Sequence, residues 1–132
     1  MWSMEQIGGY RASMANILLA EDDENMRFYL HRALEAAGHR VISAENGAIA
    51  EEMLICNRFD LVLSDVVMPE KDGIELARSA KQRHPEIKIM FITGFSGVVL
   101  GNQEDGFDPS MVLSKPFHLK DLVEQVERVL LE

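Results

Sequence analysis

The fold of this chain is decided by the stretch Leu61-Val62-Leu63-Ser64-Asp65-Val66-Val67-Met68-Pro69. An apolar run ends there at one carboxylate, Asp65, and the chain then turns at a proline. This pattern predicts a buried strand that delivers Asp65 to its carboxyl end, where open α/β sheets bind their ligands. The alternative is that Asp65 only caps the turn after the strand, as aspartates often do. The stretch alone does not separate these two interpretations.

Four further short runs have the character of strands, and amphipathic stretches follow most of the five. The runs lie at residues 17–20, 40–43, 87–92 and 111–114. Helix start and stop signals support the intervening helices: Gly38, Asn46, an Asp72/Glu75 capping box and His84-Pro85. Residues 95–110 give no clear pattern, and we expect a short, mobile element there because four glycines at and around this stretch weaken a helix.

Strands that alternate with helices predict an α/β fold with a parallel sheet and helices on both faces. Right-handed crossovers leave few strand orders, and 2-1-3-4-5 is the common order for five strands. We therefore expect a flavodoxin-like (βα)5 three-layer sandwich over residues 16–132. Residues 1–15 show no periodicity and are predicted to be a disordered leader.

Length, charge and cysteine content restrict the class of protein. The 132 residues suit one domain, and the formal net charge of −9 argues against a nucleic-acid partner. No apolar stretch approaches the roughly 20 residues that span a bilayer, so we expect a soluble, cytoplasmic protein, a monomer or weak dimer, without a DNA-binding domain. Cys56 is predicted to be a buried, inert thiol. The four histidines lack metal-ligand spacing and are predicted to be exposed or half-buried.

Polar side chains able to act follow four of the predicted strands. In the order 2-1-3-4-5 the first and third strands are neighbours, so Glu21 and Asp22 are expected to approach Asp65. Three carboxylates at one edge need a cation, and hard oxygen ligands with open positions suit Mg²⁺. Thr93 offers a hydroxyl and Lys115 an ammonium for the oxygens of a phosphoryl group. Together these groups predict an aspartyl-phosphate site.

Each of these residues also has an ordinary structural interpretation. The acidic run at residues 21–24 would favour the positive end of the first helix. Thr93 would cap the next element, and Lys115 would pair with one surface carboxylate. It is improbable that all of them stand at the carboxyl ends of strands by chance. The combined arrangement therefore favours an aspartyl-phosphate site.

The same residues resemble the signature of response-regulator receiver domains across residues 16–132. The matching segments are Leu18-Leu19-Ala20-Glu21-Asp22-Asp23, Asp65-Val66-Val67-Met68-Pro69 with Asp72-Gly73 after it, Thr93, and Lys115-Pro116-Phe117. The resemblance implies that Asp65 accepts a phosphoryl group from a histidine kinase or a histidine phosphotransfer protein. It also implies that Mg²⁺ is held by the carboxylates and the backbone carbonyl of Val67, and that Thr93 and Lys115 bind the phosphate. Whether Asp22 or Asp23 is the ligand beside Glu21 is left open, although Met26-Arg27 downstream favours Asp22.

One position departs from the usual receiver pattern. Many members carry a switching Tyr or Phe three residues before the lysine, where this chain has Val112. The resemblance then implies a switch that runs through residues 94–106, with Phe95 taking over part of the signalling unless it is simply a core residue. Leu119 opens the last amphipathic stretch, so Phe95, Val112 and Leu119 are the candidate switch and output residues.

Segments 17–23, 90–95 and 112–119 further resemble a group of cell-cycle receivers that govern regulated proteolysis. That resemblance implies a protein-protein switch rather than an enzyme, with the ClpXP protease or an adaptor as partner and a location at a cell pole. One alternative is a phosphorelay intermediate or phosphate sink without protein output. Another is an aspartate-nucleophile phosphatase, but such enzymes usually carry an acid two residues after the nucleophile, where this chain has Val67.

Overall fold

The structure of the protein is a computed structural model that describes residues 14–94 and 112–132. Its elements are β1 (Asn16–Ala20), α1 (Glu24–Ala36), β2 (Arg40–Ala44), α2 (Gly47–Cys56), β3 (Leu61–Asp65), α3 (Gly73–Arg83), β4 (Lys88–Thr93), β5 (Val112–Ser114) and α4 (Leu119–Leu131). Every predicted strand and helix within these ranges is present, with bounds within a few residues of those expected. The short element predicted at 95–110, Phe95 and nearly all of the predicted leader lie outside the described residues.

The five strands form one parallel sheet in the order β2-β1-β3-β4-β5, as predicted. β1 pairs directly with β3, so that Ala20 lies beside Ser64, and β3 pairs with β4, so that Asp65 lies beside Ile92. At the next strand Thr93 lies beside Ser114. The carboxyl ends of β1, β3, β4 and β5 are therefore aligned at one edge.

Alternating strand residues build a core on each face of the sheet. Leu18, Val62 and Phe91 point to one face and pack with α2 and α3. Their neighbours Leu19 and Met90 point to the other face and pack with α1 and α4. Because both faces are covered, the interior positions of β1, β3 and β4 are almost all apolar, which explains the continuous apolar runs in the sequence. The three-layer sandwich is confirmed.

The predicted helix caps at α2 and α3 are formed. The Asn46 side chain accepts a hydrogen bond from the Ile49 amide, and Asp72 and Glu75 exchange the two hydrogen bonds of a capping box. These bonds satisfy amides that the first turn of a helix leaves free. The capping box also fixes where α3 begins after the loop that follows Asp65.

Two side chains lie where the sequence analysis did not expect them. Cys56 is exposed rather than buried, because it stands two positions after the buried Leu54 and therefore about 200° around the helix. His39 is buried rather than exposed or half-buried, and its Nδ1 accepts a hydrogen bond from the Ala15 amide. Ala15 is itself buried and its carbonyl accepts from the Arg40 amide, so the packed domain includes this residue. None of the helices in the described ranges is long and apolar enough to cross a membrane.

Gly73 lets α3 begin in contact with the end of β3. A Cβ atom at this position would lie 2.2 Å from the Asp65 carbonyl oxygen and 2.9 Å from Ser64 Oγ. We expect Gly73→Ala to lower the free energy of unfolding by about 2 kcal/mol, because backbone has to move to admit the methyl group. Urea unfolding measures this. Gly94→Ala is the control, since no atom of the described residues lies within 4 Å of its added Cβ, and equal losses in the two variants would contradict the account.

Candidate functional site

Asp65 is the last residue of β3 and stands almost buried at the aligned edge of the sheet. Its Oδ2 accepts a hydrogen bond from Lys115 Nζ at 3.0 Å, and its Oδ1 accepts one from the Val67 amide at 3.2 Å. The backbone around it is also fixed, because the Val66 amide donates to the Ile92 carbonyl oxygen. The carboxylate is thus held in one orientation by groups from its own loop and from the end of β5.

Glu21 and Asp22 follow β1 and reach Asp65, as the predicted strand order requires. Carboxylate oxygens of the three residues lie within 4.8 Å of one another. Glu21 is fully buried and Asp22 is exposed, so the group opens to solvent at one side. Asp23 takes a different role: its side chain caps α1 by accepting from the Met26 amide. The geometry therefore places Glu21 and Asp22, rather than Asp23, beside Asp65.

The negative charge of buried Glu21 is only partly compensated by its surroundings. Its Oε2 accepts a hydrogen bond from the Asp23 amide, whereas Oε1 has no hydrogen-bond partner among the described residues, and Lys115 Nζ lies 3.6 Å away. Burial raises the pKa of Glu21 to about 7, with a further contribution from the charge of Asp65; the Asp23 amide and Lys115 act in the opposite direction. Lys115 and the Asp23 amide therefore offset only part of the negative charge in the pocket.

Lys115 provides the one described cation in contact with both buried acids. Burial alone would lower its pKa, but the hydrogen bond and charge of Asp65, together with Glu21, outweigh burial and raise the pKa above its ordinary value. Lys115 therefore stays charged at neutral pH. One ammonium faces three carboxylates, which leaves a net negative site.

This donor set fits a divalent hard cation. The ligand atoms are carboxylate oxygens, one of them is a buried oxygen without a hydrogen bond, and the exposed side leaves room for water, as Mg²⁺ prefers. Val67 is half-exposed, and the expectation that its carbonyl is a further ligand stays a prediction. The residues present are therefore compatible with Mg²⁺.

Thr93 ends β4 at the same edge, and the candidate output residues Val112 and Leu119 begin the two elements that follow in the described part of the chain. Thr93 is buried at the end of β4, and its carbonyl oxygen accepts from the Lys115 amide at 2.8 Å, so the two predicted phosphate-binding residues are adjacent. Val112 pairs with Phe91 and packs against the core on the α2/α3 face. Leu119 is the first residue of α4 and is partly exposed.

One residue at the site was not anticipated from the sequence. Arg27 Nη1 donates to the Glu21 carbonyl oxygen at 2.9 Å and so fixes the backbone of the acidic turn. The Met26-Arg27 pair after the acidic run was the one sequence feature that pointed to Arg27. It was used only to favour Asp22 over Asp23 as a metal ligand. The contact itself depends on the tertiary position of α1.

Comparisons with known proteins agree with this geometry. Residues 17–127 match the sequence model of the response regulator receiver domain. The response regulator receiver protein CpdR of Brucella abortus (strain 2308) is 54% identical over 118 residues, which cover 89% of this chain and 98% of that protein. The crystal structure of a response regulator receiver protein from Sinorhizobium medicae WSM419 superposes with a TM-score of 0.80 at 30% identity, covering 89% of this chain and 94% of that one. The receiver domain of the hybrid histidine kinase CckA gives 0.73 at 32% identity, with 87% and 98% covered.

The acidic pocket makes the metal-free protein sensitive to pH. The pKa of Glu21 in the fold, about 7, lies above its ordinary value of 4.5, so the free energy of unfolding falls as the pH rises between these values. We expect Glu21→Gln to remove this fall and to melt about 5 °C above the wild type at pH 8 in the presence of a chelator. We also expect Mg²⁺ to raise the Tm of the wild type and not that of this variant, which lacks one of the three carboxylates.

Thermal unfolding at pH 5 and pH 8, with and without Mg²⁺, measures both effects. The matched control is Glu86→Gln, an exposed acid just before β4, at the opposite end of the sheet. If Glu21→Gln is no more stable than the control at pH 8 and still responds to Mg²⁺, the buried charge of Glu21 is not what limits the metal-free protein.

Proposed function

Because the chain belongs to the response regulator receiver family of two-component signalling proteins, we propose that Asp65 is its phosphoacceptor, with a histidine kinase or a histidine phosphotransfer protein as donor. The observation that carries the proposal is the position of the Asp65 carboxylate, which lies between Lys115 Nζ at 3.0 Å and the acidic pair Glu21 and Asp22. A structural aspartate would not need two further acids beside it, one of them fully buried, because they raise the cost of its charge.

In the transfer, an Asp65 carboxylate oxygen attacks the phosphorus of a phosphohistidine. The new O–P bond forms as the P–N bond breaks. The electron pair of the P–N bond leaves with the donor imidazole. The Val67 amide keeps one carboxylate oxygen in place, so that the geometry of attack is fixed before the donor arrives. Lys115 Nζ then exchanges its hydrogen bond with Asp65 for one with a phosphoryl oxygen, and the Thr93 hydroxyl holds another.

Mg²⁺ is the proposed cofactor, held by Glu21, Asp22, Asp65 and the Val67 carbonyl. When bound, it neutralises the charge that the phosphoryl group and the carboxylates bring together. The protein supplies the oxygen ligands on three carboxylates whose mutual repulsion is relieved by a cation. The same repulsion favours the binding of Mg²⁺, because the bound cation relieves it.

The output that we propose is a change in protein-protein contacts. A phosphoryl group adds about −1.5 to −2 charge beside the ends of β4 and β5. Thr93 is the last residue of β4, and the candidate output residues Val112 and Leu119 begin β5 and α4. We further propose that the partner is the ClpXP protease or one of its adaptors and that the protein locates to a cell pole. The support for this finer proposal is the resemblance to cell-cycle receivers and the 54% identity to Brucella CpdR.

The sequence leaves two alternatives to the switch, a phosphatase and a phosphate sink. An aspartate-nucleophile phosphatase usually has an acid two residues after the nucleophile, and here that residue is the half-exposed Val67, so no contact in the site favours this function. A phosphate sink would use the same Asp65 without any protein output, and only a binding experiment separates it from the switch.

Phosphorylation tests the first proposal. We expect the intact wild-type chain to gain the mass of one phosphoryl group on incubation with acetyl phosphate and Mg²⁺, and to gain little in a chelator. Asp65→Asn is expected to gain nothing, whereas the control Asp121→Asn, in the exposed first turn of α4, behaves as wild type. Mass gain in Asp65→Asn, measured by intact-protein mass spectrometry, would rule out Asp65 as the acceptor.

Capture of purified ClpX tests the output. We expect the unphosphorylated wild type to retain ClpX and to release it when beryllofluoride and Mg²⁺ mimic the phosphoryl group. Asp65→Ala is expected to retain ClpX under both conditions, because it cannot carry the mimic. If neither protein retains ClpX although the wild type still accepts a phosphoryl group, the phosphate sink or another partner is favoured.

A further inference from the structure

We propose that Glu51 on α2 is a positioning residue for the phosphorylation site, because it holds the loop after Asp65 through Lys71 and so sets the affinity for Mg²⁺. This loop, residues 66–72, is called the acceptor loop below. The inference rests on the proposed function, since it assumes that Mg²⁺ binds beside Asp65 with help from the Val67 carbonyl. Glu51 is remote in sequence from every residue of that site and carries no expected role in it.

Glu51 joins three elements through its two carboxylate oxygens. Oε1 accepts a hydrogen bond from Lys71 Nζ at 2.7 Å, and Oε2 accepts one from Ser79 Oγ on α3, also at 2.7 Å. Arg83 on α3 adds a charge at 3.8 Å. The side chains of Glu51 and Lys71 are 26% and 28% exposed, so the pair is shielded more than an ordinary surface ion pair. The hydrogen bond from Lys71, with that from Ser79, lowers the pKa of Glu51 and keeps it ionised.

The acceptor loop has a backbone conformation that needs external support. Glu70 has a φ of +72°, in the left-handed region that residues other than glycine rarely adopt. The next residue, Lys71, lies directly against the start of α2, where a Cβ on Gly47 would come within 1.8 Å of the Lys71 carbonyl oxygen. The strained residue is therefore followed at once by Lys71, whose side chain is bound to Glu51 on α2 and whose carbonyl oxygen lies close to Gly47.

Backbone hydrogen bonds fix the first end of the acceptor loop to the sheet and join its second end to the first, whereas its middle is held by Lys71, through the side chain and through an amide that donates to the Pro69 carbonyl oxygen at 2.9 Å. At the ends, the Val66 amide donates to the Ile92 carbonyl and the Gly73 amide donates to the Val66 carbonyl. Between them, the Val67 amide contacts Asp65 Oδ1 at 3.2 Å. Displacement of Lys71 would turn the peptide units between these points, and so shift the Val67 amide and carbonyl relative to the Asp65 carboxylate.

The same contacts could serve only to link α2 to α3, without positioning the acceptor loop. The two roles differ in what loss of Lys71 does to the affinity for Mg²⁺. Lys71→Met removes a positive charge from the neighbourhood of an acidic site, and by charge alone that change strengthens Mg²⁺ binding. Loss of positioning weakens binding instead. The two explanations therefore predict opposite signs for one substitution.

Titration of ¹⁵N-labelled protein with Mg²⁺, followed by the amide resonances, tests the proposal. We expect Lys71→Met and Glu51→Gln each to weaken Mg²⁺ binding about tenfold, the order seen when the outer partner of a ligand group is removed. The Val67 amide resonance is expected to move in both variants before metal is added. The double variant is expected to be no worse than either single one, because the two residues act as one contact.

Two controls separate charge and stability from positioning. Glu52→Gln makes the same charge change at an exposed neighbour on α2, and Ser79→Ala removes the hydrogen bond from α3 while Lys71 stays bound to Glu51; both are expected to bind Mg²⁺ within about twofold of wild type. Tighter or unchanged binding by Lys71→Met, or losses confined to Tm, would overturn the inference. A wild type that binds no Mg²⁺ would overturn the proposed function together with it.

Discussion

The direct pairing of β1 with β3 is the constraint on which the site depends. It places the end of a strand carrying Glu21 and Asp22 against the end of a strand carrying Asp65, inside an edge where Glu21 has no access to solvent. Burial of like charges is unfavourable, and the protein compensates only part of it through Lys115 and one backbone amide. The remaining negative charge is what gives the site a use for a divalent cation.

The rest of the fold keeps that arrangement rigid. Two apolar layers cover the faces of the sheet, so the strand ends cannot move relative to one another without opening the core. The β4–β5 pairing brings Lys115 beside Thr93, and the capping box at Asp72 with the close approach of Gly73 fixes where the acceptor loop ends. The same few backbone contacts therefore stabilise the fold and position the residues of the site. A receiver needs this rigidity because a single phosphoryl group has to change one edge of the domain without unfolding it.

Local patterns in the sequence were sufficient for the elements, and general rules of topology for their order. The apolar runs identified the strands because both faces of this sheet are covered, and the order 2-1-3-4-5 then predicted that Glu21 approaches Asp65. Side-chain environments were harder: Cys56 was placed wrongly because it lies off the buried stripe of α2, and His39 because its burial depends on contacts with β1 and the last helix. The Glu51–Lys71 contact joins residues on separate elements, and no periodicity indicates such a pair. The roles of the site residues and the leader at 1–15 stay predictions, and Phe95 lies outside the described residues.

A crystal structure of the protein with Mg²⁺ and beryllofluoride tests the central claim most directly. The account predicts one metal ion bound by Glu21, Asp22, Asp65 and the Val67 carbonyl, and the beryllofluoride group on Asp65 in contact with Lys115 and Thr93. A metal ion bound elsewhere on the acidic surface, or a beryllofluoride group on another carboxylate while Lys115 stays paired with Asp65, would contradict it.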